Sequence, residues 1–387
     1  ALKRLQKAMS VGIERKADIC AGLINRQEWD LFLTIFGETH TAGHYMWHLS
    51  QPDHPLYCMA EAGAEDLMLK TFVEVDRAIA KILEASPQPA NVVIFSAHGM
   101  GANVMDVPSM VFLPELMHRY SFSGKPAIAP AKIGAPLAPV ETAFDQKRGW
   151  LGEIWNMRTP LNPVSRWLRS KLPVRIQKPL DIFLNNLAQP ALLCPDALEQ
   201  QGNSLFWQPA KWYEPLWPKM KAFAIPSYSE GYVRINVKGR EPQGIVAPAD
   251  YDAVCAEIIE LLEQTTDART GLPLVERVVR MRQDPLDSNP KLPDADLVVL
   301  WNEAIPSDVI DTPGYGRIGP VPHHRTGSHR AHGFLMAAGP DIDATRFKGD
   351  GHALDLAPTL LGLLGLPDTQ RLSGQNLFEQ STLTSVR

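Results

Sequence analysis

Residues 29–36 (Trp-Asp-Leu-Phe-Leu-Thr-Ile-Phe) and 91–96 (Asn-Val-Val-Ile-Phe-Ser) are apolar runs of strand length. Each fits a strand buried on both faces. Between them, residues 61–85 place apolar side chains at Met68, Phe72, Val75, Ile79 and Ile82, the spacing of a helix that Pro87 and Pro89 end. Strand, helix and strand in that order predict parallel pairing in one sheet with helices packed on it. No other feature constrains the fold as much. It places the chain in the α/β class.

The rest of the chain extends that pattern and interrupts it once. Residues 1–28 read as a helix, with Leu2, Leu5, Met9 and Ile13 on one face. Residues 221–226 and 232–237 suggest a hairpin about Ser229-Glu-Gly231. Pro248 and Asp250 open a helix carrying Val254, Ile258, Leu261 and Leu262. Residues 296–301 and 334–338 read as strands, and 354–366 as a helix. Residues 106–219 differ in character, with dense proline and Trp150, Trp155, Trp167, Trp207, Trp212 and Trp217. At 387 residues the chain exceeds what one core usually supports. The expected division is therefore an α/β core, 1–105 with 220–387, and an insertion or cap subdomain, 106–219. The tryptophans there are expected to pack as core. The basic stretch 158–178, with Arg166, Arg169, Lys171 and Arg175, reads as a solvated face.

Bulk chemistry excludes several functions. A net charge of −5 argues against a broad nucleic-acid footprint, which needs a basic face. There is no apolar run of membrane-spanning length and no visible signal peptide. The four cysteines, Cys20, Cys58, Cys194 and Cys255, are far apart and form no C-x-x-C pair. They read as buried free thiols in a reducing, cytoplasmic compartment. The oligomeric state leaves no trace in the sequence.

The chemistry concentrates in three segments: Gly37-Glu-Thr-His-Thr-Ala-Gly-His44, Ser96-Ala-His-Gly-Met-Gly101 and Thr326-Gly-Ser-His-Arg-Ala-His-Gly333. The first two directly follow the strand-like runs; the third precedes one. Neutral imidazole is the commonest metal ligand, and strand ends are where open α/β sheets build sites. His40 and His44 are four residues apart, which puts both rings on one face of a helical turn. Glu38 could add a carboxylate. His98 precedes Gly99 and Gly101, and glycine permits close backbone approach to a ligand. His329 and His332 lie in a Gly-rich turn, with His323, His324 and Arg325 nearby. One metal-centred pocket accounts for this pattern. Histidine with carboxylate suits Zn²⁺ or Mn²⁺.

These motifs resemble the alkaline phosphatase superfamily, most closely the type I phosphodiesterase/nucleotide pyrophosphatase-like phosphohydrolases. The family's Asp-x-x-x-His corresponds to His40-Thr-Ala-Gly-His44, and its Ser-Asp-His-Gly-Met to Ser96-Ala97-His98-Gly99-Met100. Its Gly-x-His-Arg-x-x-Gly before a strand ending in Gly-Pro corresponds to Gly327 through Gly333 and on to Gly339-Pro340. The segments Asp355-Leu-Ala-Pro-Thr359 and Tyr232 to Glu241 also resemble family segments. The resemblance implies an alkaline-phosphatase-like, mostly parallel sheet sandwiched by helices, with the Pro/Trp-rich stretch inserted. It implies two metal ions, one at His40, His44 and His329, the other at the positions of Ala97 and His98 with a further aspartate and a phosphorylated Thr or Ser.

Three departures accompany it. Ala97 stands where the family has an aspartate ligand, and His40 where it has another. The family's N-terminal Asp-Gly strand and its nucleophile have no counterpart, so the chain is expected to start after them. The expected function is a metal-dependent hydrolase of phosphate mono- or diesters holding one or two ions. His332, His324, Arg325 and Arg330 are candidate substrate or supporting residues, and the substrate is a small phosphorylated or sulfated molecule. The alternative is a non-catalytic relative that binds such a ligand or a partner protein. A sulfatase is a weaker alternative, because no cysteine sits in a suitable context.

Overall fold

The computed structural model of the chain describes residues 1–60, 65–141, 148–159, 171–173, 176, 179–180, 192–304, 306–347, 349–366 and 371–378. The chain folds as two compact units. One comprises Ala1–Ser50, Gly63–Gly101 and His329–Arg387; the other comprises Gln51–Ala62 and Ala102–Ser328. The second unit thus holds both the Pro/Trp-rich stretch and the strands between residues 222 and 301.

In the first unit, helix α1 (Leu2–Ile24) buries Met9, Ile13, Ala17, Cys20 and Ile24, a three- and four-residue spacing that makes one apolar stripe. Helix α2 spans Glu38–Ser50 and helix α3 spans Leu67–Ala85. The Asp66 carboxylate caps α3 by accepting the backbone N–H groups of Met68 and Leu69. Three small clusters join the helices. Met9 meets Ala42, Met46 and Leu67. Ile13 and Ala17 meet Val75 and Ala78, and Cys20 and Ile24 meet Ile82. Because Ala42 and Met46 are fully buried on α2, its rotation about its own axis is fixed, which also fixes the directions of His40 and His44.

Strand β1 (Val92–Ser96) pairs antiparallel with Phe334–Ala338, Val92 opposite Ala338 and Ser96 opposite Phe334. Gly333 sets this junction. A methyl group there would lie 1.9 Å from the Ser96 carbonyl oxygen, so only glycine lets the two chains close together at the end of β1.

The expected strand at 29–36 does not form. Residues 31–37 have no ladder partner among the described residues, although Leu31, Leu33 and Ile35 are exposed at 48, 63 and 75 % in alternation with more buried neighbours. A period of two specifies extended backbone, whereas a strand also needs a hydrogen-bonding neighbour, which no local pattern supplies. The expected large, mostly parallel sheet is likewise replaced by small antiparallel ones. Among the described residues, the second unit contains two four-stranded sheets. One orders Ala222–Ile225, Gly231–Ile235, Leu297–Trp301 and Val275–Arg280, each antiparallel to the next. The mixed α/β character stands.

The hairpin at 222–235, the helix Tyr251–Glu263 and the strand Leu297–Trp301 fall where the sequence places them. They enclose one continuous core in which Val233, Ile235, Leu297 and Val299 meet Val254, Ile258 and Leu262. Trp150, Trp155 and Trp212 are buried in it, as expected of packing residues. Trp167, Arg166, Arg169 and Arg175 lie outside the described residues. Cys20, Cys194 and Cys255 are buried free thiols; Cys58 is exposed, contrary to expectation, on a short turn after Pro55. Among the described residues, no helix is long and apolar enough to cross a membrane.

Candidate metal centre

Four histidines from three segments converge within the first unit. His40 and His44 project one turn apart from the start of α2, with Nε2 atoms 3.0 Å apart. The His329 ring centroid lies 5.0 Å from each of theirs. Ligand atoms of His40, His44 and His329 all fall within 4.8 Å of one another. The His98 ring stacks on His329 at 4.1 Å and lies 5.3 Å from His40. His44 is buried, at 5 % exposure, while His40, His98 and His329 are half-buried.

The local sequence explains the convergence. Met100 packs against Gly43, where a methyl group would come within 3.0 Å of it, so the glycine leaves room for the His98 segment against α2. Gly99 lies against the His332 carbonyl, 2.2 Å from where a methyl would sit. Gly101 makes room for the Arg330 guanidinium, whose Nε would be 2.5 Å from a methyl there. Arg330 Nη1 also donates to the His329 carbonyl at 2.9 Å. These glycines and Gly333 let the segments of His98 and His329 press together, as close backbone approach requires.

Tests of fit favour a nitrogen-loving cation. Two imidazole nitrogens bound to one tetrahedral Zn²⁺ at 2.0–2.1 Å would be roughly 3.3 Å apart, near the 3.0 Å between His40 and His44. His98 Nδ1 lies 3.0 Å from the Gly99 carbonyl, an acceptor only, so Nδ1 carries the proton and Nε2 keeps its lone pair. Among the described residues, the group consists of histidines alone. Glu38 is ion-paired with Lys16, at 3.1 Å, and Lys16 also donates to the Ile35 carbonyl at 2.8 Å. Ala97 is an exposed turn residue without a ligating atom.

The remaining candidates have other surroundings. His332 is exposed on the turn after His329's strand. His324 and Arg325 belong to the second unit, where they meet Asp106. That fully buried carboxylate accepts Arg325 Nε and Nη2 at 2.8 and 2.9 Å, Asn103 Nδ2 at 2.7 Å and His324 Nδ1 at 3.2 Å. Burial alone would raise its pKa, but the bonds from His324, Arg325 and Asn103 outweigh that and lower it to about 2. His323 is buried, and desolvation lowers its pKa. Sequence reasoning missed Lys16, Asn103 and Asp106. An Asn-x-x-Asp turn before Pro108 is the only local hint of the last two.

Residues 3–133 match the family model of type I phosphodiesterase / nucleotide pyrophosphatase, a stretch that contains His40, His44 and His98. No curated protein and no solved structure matches the chain. The likeness to that family covers 131 of the 387 residues.

Proposed function

We propose that this protein is a metal-dependent hydrolase of small phosphate mono- or diesters, with a divalent ion, Zn²⁺ before Mn²⁺, held by His40, His44 and His329. One observation carries the reading: three imidazoles from two distant segments bring ligand atoms within 4.8 Å of one another. Three protein nitrogens leave a fourth position open, which is the pattern of catalytic rather than structural zinc. Bound there, the ion supplies Lewis-acid stabilisation of charge on the transferring phosphoryl group. His98, with its Nε2 lone pair, would accept a proton or a donor from the substrate. Arg330, seated over Gly101, offers a fixed positive charge beside His329. Glu38 orients the start of α2 through Lys16 and supplies no ligand.

The test is hydrolysis of an aryl phosphate and an aryl phosphodiester by zinc-loaded protein, with and without chelator. Turnover that chelation abolishes and zinc restores supports the proposal. No turnover of either ester at full zinc occupancy overturns it.

A second reading rests on Ala97. An alanine at a family ligand position favours a non-catalytic relative that binds a phosphorylated or sulfated ligand. That reading requires binding that ignores chelators. Ala97→Asp separates the two: a sharp rise in turnover marks a hydrolase lacking one ligand, and no change marks a rebuilt pocket.

A further inference from the structure

His324 in the second unit is enclosed in a way that core packing does not require. Its ring lies 4.6 Å from Trp150 on one side and stacks at 6.3 Å, within 20° of parallel, on Trp207. Its Nδ1 edge rests on Asp106 at 3.2 Å. Asp106 is fully buried and ionised, so it only accepts, and Nδ1 must carry the proton. In the neutral ring the Nε2 lone pair is therefore free to accept. Nε2 has no hydrogen-bond partner among the described residues, and the side chain is 26 % exposed.

What surrounds that edge is aromatic. Trp207 is only partly buried, and Tyr228, whose ring centroid is 6.0 Å from it, is 53 % exposed. The Arg325 guanidinium lies 6.0 Å from the Tyr228 ring and is tied to Asp106, so the tyrosine is backed by a fixed charge. Aromatic side chains beside one oriented acceptor are two ingredients of a small-molecule site: apolar lining and a polar group that fixes orientation. An Asp-fixed imidazole tautomer is the same device used wherever a histidine must present one defined nitrogen.

We propose that His324, Trp207 and Tyr228 form a binding site for a planar aromatic ring that carries an O–H or N–H donor at its edge. The ring stacks on Trp207 and Tyr228, and its donor bonds to His324 Nε2. Asp106 positions His324 without touching the ligand. The site uses residues of the second unit alone and does not depend on the metal centre.

The test is saturation-transfer NMR on the full chain with three probes: phenol, anisole, which lacks the donor, and cyclohexanol, which lacks the flat face. Phenol should give several times the signal of either other probe. Tyr228→Ala, at an exposed position, should cut the phenol signal severalfold, and His324→Phe should bring phenol down to the level of anisole. Equal signals from phenol and anisole, or from phenol and cyclohexanol, overturn the proposal. So does a phenol signal unaffected by Tyr228→Ala. If His324→Phe does not fold, the probe ratios and Tyr228→Ala decide alone.

Discussion

The two units treat buried ionisable groups in opposite ways. In the second unit, carboxylates sit inside complete sets of donors. Asp296 accepts from Arg240 twice at 2.7 Å, from Arg282 at 3.2 Å, from the Tyr251 hydroxyl at 2.9 Å and from the Ile235 N–H at 2.7 Å. Glu115 accepts from Arg119, Tyr213 and the N–H groups of Ala127 and Ile128. In the first unit, four imidazoles crowd together, and the candidate ligand group among the described residues is histidine throughout. A carboxylate ringed by arginines is complete without a ligand. Clustered imidazoles form a set that, on the proposed reading, a cation completes. The comparison separates polar groups that hold the fold from those that await chemistry.

The largest expected effect comes from breaking a completed set. Asp296→Ala leaves the buried Arg282 without its counter-charge and Arg240 with Glu241 alone, and should cost about 3–5 kcal/mol, read as a lower urea midpoint. A loss below 1 kcal/mol would show that these arginines rearrange into water.

His118 tests the same contrast through pH. It is buried beside Phe122 and Tyr213, and desolvation lowers its pKa to about 4. The unfolded chain takes up this proton near the ordinary value of 6.5. Stability should therefore fall as pH drops from 6.5 to about 4, by up to about 3 kcal/mol, and level off below. His118→Phe should flatten that part of the profile. An identical slope in the variant would assign the pH dependence to other groups.

Zinc should act on the other side of the comparison. At a free concentration one hundred times its Kd, it should raise the unfolding free energy by about 2.7 kcal/mol, and His44→Ala should remove the gain. A gain that survives His44→Ala would place the ion elsewhere.

Gly333→Ala is the smallest of the set, at about 1–3 kcal/mol, because its methyl would push the chain off the Ser96 carbonyl. It should also weaken zinc binding, since it separates the segments carrying His98 and His329. Unchanged affinity would mean that the metal centre tolerates that displacement.

Legibility in the sequence followed locality. The i, i+4 spacing of His40 and His44 was readable because a helix turn alone decides which side chains share a face. Gly99 and Gly101 marked close backbone approach after His98, read as approach to a ligand, whereas they face His332 and Arg330. The hairpin at 222–235 was readable from strand patterns flanking a turn. Partner choice was not readable. The continuous apolar run at 29–36 predicted a strand buried on both faces, but Leu31, Leu33 and Ile35 are exposed, because pairing is decided by chain far away in sequence. Glu38 looked like a ligand because it is near His40, and Lys16, 22 residues earlier, determines that it is not in the group. Asp106 became a hub only when residues 324 and 325 folded against it, more than 200 positions along the chain.

The most direct measurement is the zinc content of the purified chain after equilibration with Zn²⁺ and removal of excess, determined by elemental analysis. The account predicts about one tightly held zinc per chain in the native protein and none when His40, His44 and His329 are all changed to alanine. Zinc absent from the native protein, or retained in the triple variant, would contradict it.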